Sequence, residues 1–175
     1  MSSTPAQIQA FITKWQLSGA AERANAQLFL AELCDILDLE RPRPSGPDET
    51  LNAYCFEKAI PSGTGTTNFI DLYKRGHFVL ECKQGVADPE LAAPLSAAGK
   101  AARKQMKTGH GKHGTKGFDT AMLKAHAQAQ RYARALPKEE VPNGRPPFVV
   151  VVDVGHSISL YTDWTRMGGE YLPFP

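Results

Sequence analysis

The stretch from Asn68 to Gly85 (NFIDLYKRGHFVLECKQG) constrains the fold of this chain more than any other part of the sequence. Two short runs in which apolar and polar residues alternate flank a turn at residues 75–77, a pattern typical of a β-hairpin. A hairpin centred on Gly76 pairs the following residues across the two strands: Ile70 with Cys82, Leu72 with Leu80, and Lys74 with Phe78. The sequence therefore predicts two paired strands with one almost wholly apolar face.

The other face of this hairpin carries charge. Asp71 faces Glu81 directly, and Lys83 lies two residues further along the same strand, on the same side. Directly opposed residues have Cβ atoms about 4.5–5.5 Å apart, so two carboxylates repel each other there. A divalent cation between them turns this repulsion into binding, because Mg²⁺ prefers carboxylate oxygens. A two-residue turn would put the two acids on opposite faces, so the interpretation requires an odd-numbered turn or a bulge.

These residues resemble the signature of a known enzyme superfamily. Asp71, nine intervening residues and then Glu81-Cys82-Lys83 is similar to the PD-(D/E)XK nuclease motif, with Ile70 in place of the proline. The spacing by itself also fits charged residues on a solvated strand face. The choice between the two interpretations depends on the rest of the chain.

Composition is that of an ordinary globular protein. The 175 residues are 42% hydrophobic and 22% charged, which suits one domain, or one domain plus a helical extension. A net charge of +2 means that affinity for nucleic acid must come from local clusters. Cys34, Cys55 and Cys82 each lie in an apolar pattern and predict reduced core residues of a cytoplasmic protein. The sequence has no signal peptide and no apolar run of about 18 residues, so we expect neither export nor a membrane partner.

Two helices are predicted at the N terminus. Ser3 or Thr4 caps the first, and the second runs from about residue 20 to residue 39. Glu22 falls within the apolar stripe of the second helix. Many PD-(D/E)XK nucleases carry a metal-binding glutamate on the first core helix, so the resemblance makes Glu22 a candidate metal ligand. The alternative is a glutamate at a helix start, favoured there by the helix dipole.

The middle of the chain predicts a first strand at residues 51–60 and, after the hairpin, a long connection at residues 86–117. This connection carries six basic residues without an intervening acid: Lys100, Arg103, Lys104, Lys107, Lys112 and Lys116. One interpretation is a solvated loop, and the other is an arm whose side chains bind DNA phosphates. His110 and His113 have no cysteine or acid beside them, so we predict no metal site there.

A later helix is predicted to begin at a cap formed by Asp119 or Thr120 and to end before Pro137. On it, Gln128 and Tyr132 form a Q-x-x-x-Y pattern that resembles the RecB-type branch of the same superfamily. Their i, i+4 spacing stacks the two side chains one turn apart. Such an amide and phenol would bind a DNA phosphate or steady the active-site lysine. The alternative is a core tyrosine beside a surface glutamine.

The end of the chain completes the predicted sheet. Residues 147–154 (PFVVVVDV) predict a strand buried on both faces, and residues 157–161 predict a further strand. The order of elements predicts an α/β fold in which helices flank a mixed central β-sheet, as in the restriction-endonuclease-like PD-(D/E)XK core.

Longer segments of the sequence resemble one particular family within this superfamily. Five of them are similar to the N-terminal nuclease domain of MmeI-like restriction–modification polypeptides. Those polypeptides place a Mg²⁺-dependent endonuclease before a helical spacer, an adenine-specific DNA methyltransferase and a target-recognition domain. The segments are ERANAQLFLAELC at 22–34, YCFEK at 54–58, FIDLYKRGHFVLECKQ at 69–84, QAQRYARALP at 128–137 and VVDVGHSISLY at 151–161.

Carried onto these positions, the resemblance implies an active site. Asp71 and Glu81 would bind Mg²⁺, for which Mn²⁺ can substitute, and the backbone carbonyl of Cys82 would add a ligand. Lys83 would act as the base or stabilise the transition state, and Gln84 would lie beside the metal. The basic arm, together with the Q-x-x-x-Y pair, would bind DNA.

The resemblance thus predicts a metal-dependent endodeoxyribonuclease domain that cuts double-stranded DNA, with a second copy of the chain as a candidate partner. Residues 1–19 are predicted to be an N-terminal helix, residues 20–165 the nuclease domain, and residues 166–175 the start of a linker. No methyltransferase motif occurs in these residues, so we expect that activity elsewhere. The alternatives are a non-catalytic DNA-binding adaptor with the nuclease fold, or an exonuclease or junction resolvase of the same superfamily.

Overall fold

The computed structural model describes residues 3–18, 22–61, 65–85 and 113–175, without the side chains of residues 22–24. Its helices are α1 (Pro5–Leu17), α2 (Glu22–Ile36) and α3 (Lys116–Ala135). Its strands are β1 (Tyr54–Pro61), β2 (Thr67–Lys74), β3 (Phe78–Lys83), β4 (Phe148–Asp153), β5 (Ser157–Thr162) and β6 (Leu172–Pro173). No helix in the described part of the chain is long and apolar enough to cross a bilayer.

All six strands form one sheet in sequence order, β1-β2-β3-β4-β5-β6. The pairs β1–β2, β2–β3 and β5–β6 are antiparallel. β3 and β4 run parallel, because the Phe148 N–H donates to the His77 carbonyl at 3.2 Å and the Val154 N–H donates to the Lys83 carbonyl at 2.8 Å. The sheet is therefore mixed, and the predicted α/β class is confirmed. That it forms a PD-(D/E)XK core stays a prediction.

The first helix begins as the sequence predicts. Thr4 is its N-cap, and the Thr4 hydroxyl and the Gln7 side chain bond reciprocally to each other's backbone N–H groups in a capping box. The first strand begins at Tyr54 rather than at residue 51, because Glu49–Leu51 form a short 3₁₀ helix. The three cysteines are free and buried, as predicted.

The start of α3 differs from the prediction. The helix begins at Lys116, so the predicted cap at Asp119 or Thr120 is wrong. The Thr115 hydroxyl accepts a hydrogen bond from the Phe118 N–H at 3.4 Å and thus performs the capping role one turn earlier. The sequence does not distinguish the cap because three residues of capping type, Thr115, Asp119 and Thr120, lie within six positions.

The chain divides into two compact units. The first contains Met1–Arg41, Cys82–Leu123 and Asp153–Ser157, and the second contains Pro42–Glu81, Lys124–Val152 and Ile158–Pro175. The first unit includes α1 and α2, and the second includes β1, β2, β6 and most of α3.

Trp15 is the centre of the packing between α1 and α2 in the first unit. Its ring lies edge-on to Phe29 at a centroid distance of 5.2 Å, and its Nε1 donates to Glu32 at 2.9 Å. The turn after β4 approaches the same residue. Gly155 has φ +78°, and an added Cβ there would lie 2.2 Å from the Trp15 carbonyl oxygen.

The core of the second unit lies between α3 and the sheet. Its buried residues are Ile60, Ile70, Tyr73, Val79, Ala129, Ala133, Leu136, Val149 and Tyr171. The alanines of α3 let the helix approach the strands closely. Tyr171 is 1% exposed, and the adjoining β6 pairs with β5, so residues after 166 contribute to this unit. The predicted start of a linker at residue 166 stays a prediction.

A network of hydrogen bonds and ion pairs around the buried Glu140 borders this core. The Glu140 carboxylate accepts hydrogen bonds from Arg75 Nε at 2.6 Å and from the Tyr73 hydroxyl at 3.0 Å, and Lys58 Nζ lies 3.0 Å from its other oxygen. Burial by itself would raise the pKa of Glu140. The hydrogen bonds from Arg75 and Lys58 outweigh it and hold this pKa below its usual value of 4.5.

We expect Gly155→Ala to destabilise the protein. Backbone strain at a positive φ costs about 1–3 kcal/mol, and overlap with the Trp15 carbonyl adds to it. Gly46→Ala is the matched control, because an added Cβ there meets nothing within 4 Å, and its effect should be within about 0.5 kcal/mol. Urea unfolding of both variants measures the difference, and equal midpoints would contradict the packing described.

We expect Glu140→Gln to lower the free energy of unfolding by about 3–5 kcal/mol at neutral pH, because Arg75 would lose its anion and Lys58 would keep only Glu49. Because the folded pKa of Glu140 lies below 4.5, its stabilising contribution is present above that pH and is lost as the pH falls through the folded pKa. Denaturant unfolding between neutral and acid pH tests this. The exposed neighbour Glu139→Gln should behave as wild type, and a similar loss in both variants would contradict the assignment.

Candidate functional site

The β2–β3 hairpin has the register that the sequence predicts. Its paired residues are Leu72 with Leu80, Tyr73 with Val79, and Lys74 with Phe78. The turn contains the three residues between Lys74 and Phe78, and the His77 N–H donates to the Lys74 carbonyl at 3.0 Å. Gly76 has φ +72°, a conformation that glycine adopts without strain. The predicted odd-numbered turn is confirmed.

The same register brings the two acids to one face of the hairpin. Tyr73 pairs with Val79, and strand alternation directs Asp71 and Glu81, two positions further along each strand, to the same face as this pair. Asp71 is half-buried and Glu81 is 2% exposed. A folding argument alone does not favour two carboxylates here, because like charges repel and burial of a charge costs free energy.

α3 supplies polar groups to this face. Gln128 Nε2 donates to Glu81 Oε1 at 2.6 Å and also lies 3.1 Å from the Tyr132 hydroxyl. Burial raises the pKa of Tyr132, and the negative charges of Glu81 and Asp71 raise it further. The hydrogen bond from Gln128 places the Glu81 carboxylate on the side of the sheet that α3 covers, and strand alternation directs Asp71 to that side too. The predicted stacking of Gln128 and Tyr132 is confirmed, and their role in DNA binding stays a prediction.

Lys83 and Gln84 are buried, with exposures of 9% and 4%, and Cys82 is 1% exposed. Lys83 follows Glu81 by two residues in β3, so the alternation of a strand directs both side chains to one face. The proposed roles of Lys83, Gln84 and the Cys82 carbonyl are not tested by this geometry and stay predictions.

The other predicted site residues are only partly described. Glu22 begins α2, but its side chain lies outside the described part of the structure. Of the basic arm, Lys116 is exposed at the first residue of α3. The remaining basic residues lie outside the described residues: Lys100, Arg103, Lys104, Lys107 and Lys112. Their roles stay predictions.

A second polar cluster was missed by sequence reasoning. Asp153 Oδ2 lies 2.7 Å from His113 Nε2, so the fold brings to His113 an acid that its sequence neighbours do not supply. His156 completes the cluster, in which one ligand atom from each residue lies within 4.8 Å of the others. The available signal was an aspartate at the carboxyl end of a buried strand, followed three residues later by a histidine.

These features define an α/β domain with a pair of acids on its central hairpin, covered by a helix that bears a glutamine and a tyrosine. The sequence matches the family described as "MmeI, N-terminal domain" over residues 3–174. The match spans nearly the whole chain, so the chain belongs to this family, and the family associates it with restriction–modification enzymes. No curated protein and no solved structure matches the chain.

We expect Asp71→Asn and Glu81→Gln each to lower the pKa of Tyr132, because each removes a negative charge that opposes ionisation of the phenol. NMR titration of the tyrosine ring carbons measures this shift. Glu139→Gln, on an exposed residue, is the control. A Tyr132 pKa that Asp71→Asn leaves unchanged would contradict the placement of the acids.

Proposed function

We propose that this chain is the Mg²⁺-dependent DNA endonuclease domain of a restriction–modification polypeptide whose methyltransferase lies outside these residues. The observation that carries the proposal is the pair formed by Asp71 and Glu81 on one face of the hairpin, in a chain of the MmeI N-terminal domain family. Such a pair is unfavourable for folding and favourable for binding a divalent cation.

The donor groups fit a magnesium ion. Carboxylate oxygens are the protein ligands that Mg²⁺ prefers, and one or two of them, completed by water and phosphate oxygens, make a usual site. Asp71 and Glu81 would hold the ion, and the Cys82 carbonyl and Glu22 are further candidate ligands. When bound, Mg²⁺ would polarise a phosphodiester and lower the pKa of a coordinated water. Mn²⁺ is expected to substitute for it.

The neighbouring side chains would orient this chemistry. The Gln128 amide fixes Glu81 Oε1 and so leaves the carboxylate in one orientation. As an ammonium, the Lys83 side chain would stabilise negative charge that develops on the phosphate. As a neutral amine, it would instead accept a proton from the attacking water. Burial of Glu81 and Lys83 excludes much of the solvent, which strengthens each of these electrostatic interactions.

Double-stranded DNA is the substrate that we propose. The exposed Lys116 and the basic residues that precede it would contact phosphates and give affinity that falls steeply with salt concentration. Gln84, Gln128 and Tyr132 are the proposed contacts closest to the acids. A second copy of the chain would supply the cut in the other strand.

We expect Asp71→Asn and Lys83→Ala in the full-length polypeptide to reduce DNA cleavage by at least about 10³-fold, because each removes a group that acts in the transition state. The measurement is linearisation of circular DNA in Mg²⁺, which an exonuclease would not produce. Glu139→Gln and Lys138→Ala, on exposed residues, are matched controls for charge and should retain activity.

Thermal unfolding of the same variants separates chemistry from stability. Either variant cutting at the wild-type rate would overturn the assignment. Tight DNA binding without Mg²⁺-dependent cleavage by the wild-type polypeptide would instead identify a binding adaptor.

A further inference from the structure

The second polar cluster has the composition of a transition-metal site. His113, Asp153 and His156 each offer one ligand atom, and these atoms lie within 4.8 Å of one another. All three residues belong to the first unit of the chain. The cluster differs from the pair of acids in its donors, which are two imidazole nitrogens and one carboxylate oxygen.

Asp153 is the buried residue of this cluster, and hydrogen bonds fix its orientation. Its side chain is 0% exposed, and its Oδ1 accepts the Gly85 N–H at 2.7 Å, which directs Oδ2 toward His113. Gly85 is required for this approach, because an added Cβ there would lie 2.3 Å from His113 Nε2. A carboxylate buried in this way is satisfied by hydrogen bonds or by a metal.

The two imidazoles differ in exposure and in contacts. The edge of Phe118 packs against His113 at a centroid distance of 4.9 Å, and the Asp153 carboxylate holds its Nε2. His156 is exposed on the turn after β4 and stacks on His113 at 4.0 Å with an interplanar angle of 13°. Stacking alone does not direct both rings at one ion, so binding requires the exposed His156 ring to turn toward it.

We propose that His113, Asp153 and His156 bind one divalent transition-metal ion of the Zn²⁺ class. Two histidines and one carboxylate are a known zinc donor set, with the fourth position left to water. Zinc bonds of about 2.0–2.2 Å in tetrahedral geometry set the ligand atoms about 3.3 Å apart. The His113–Asp153 contact of 2.7 Å would therefore open slightly, and His156 would close on the ion. Mg²⁺ is disfavoured here because it demands oxygen ligands in octahedral geometry.

The ion would tie together segments that are distant in sequence. His113 precedes α3, Asp153 ends β4, and His156 lies in the turn that leads to β5. Binding to the folded state alone stabilises it in proportion to the logarithm of the metal concentration. The proposed ion is therefore a structural clamp, separate from the magnesium ion proposed for the acids.

Isothermal titration of the purified chain with ZnCl₂ alone tests the proposal. We expect one tight Zn²⁺ site per chain and a rise in the unfolding temperature on saturation. His156→Ala should weaken this binding by about 100-fold, and because His156 is exposed the variant should fold as wild type. His113→Ala should have an equal or larger effect. Titration with Co²⁺ should give visible absorption bands of a four-coordinate ion in wild type and not in His156→Ala.

Two controls separate this site from the proposed nuclease centre. His126→Ala, on a half-buried histidine of the second unit, should leave the Zn²⁺ affinity unchanged, and so should Asp71→Asn. Loss of the site in Asp71→Asn with retention in His156→Ala would overturn the proposal and assign the zinc to the acids. An absence of tight Zn²⁺ binding in wild type would also overturn it and leave a hydrogen-bonded His–Asp pair. Neither result depends on DNA cleavage.

Discussion

The register of the β2–β3 hairpin decides which side chains share a face of the sheet. A three-residue turn with Gly76 at positive φ pairs Leu72 with Leu80, and the acids follow in the next position. One residue more or fewer in the turn would send Asp71 and Glu81 to opposite faces. The positions of the other candidate site residues relative to the two acids follow from this pairing.

The face of the sheet that carries the two acids also carries part of the apolar core. Tyr73 and Val79 lie in the apolar core under α3, and Glu81 meets Gln128 further along the same helix. The alanines of α3 pack against the apolar part of this face, and Gln128 and Tyr132 of α3 lie near its charged part. The residues that pack the core and the residues proposed to act in catalysis thus lie in neighbouring parts of the interface between α3 and the sheet.

Two glutamates, Glu140 and Glu81, are buried in this domain. Glu140 is neutralised by Arg75 and Lys58, and its pKa is lowered as expected for a structural ion pair. Glu81 accepts a hydrogen bond from the Gln128 amide, and burial together with the negative charges of Glu81 and Asp71 raises the pKa of Tyr132. We propose that Asp71 and Glu81 bind a cation that arrives with the substrate.

Much of the hairpin could be predicted from sequence because its determinants are local: alternation, a glycine turn and strand parity. The i, i+4 spacing of Gln128 and Tyr132 on one helix could be predicted from sequence for the same reason. The partnership of His113 with Asp153 was not, because the two residues are distant in sequence and no local pattern relates them. Glu140 was missed for a similar reason, since it lies in a polar KEE run that resembles a solvated surface.

Paramagnetic line broadening by Mn²⁺ tests the central claim most directly. If Asp71 and Glu81 hold a divalent cation, substoichiometric Mn²⁺ should broaden the NMR signals of the Gln128 side-chain amide well before those of an exposed amide such as Gln9. Asp71→Asn should abolish this preference. Sharp Gln128 signals at a concentration that broadens Gln9, or equal broadening in Asp71→Asn, would contradict the account.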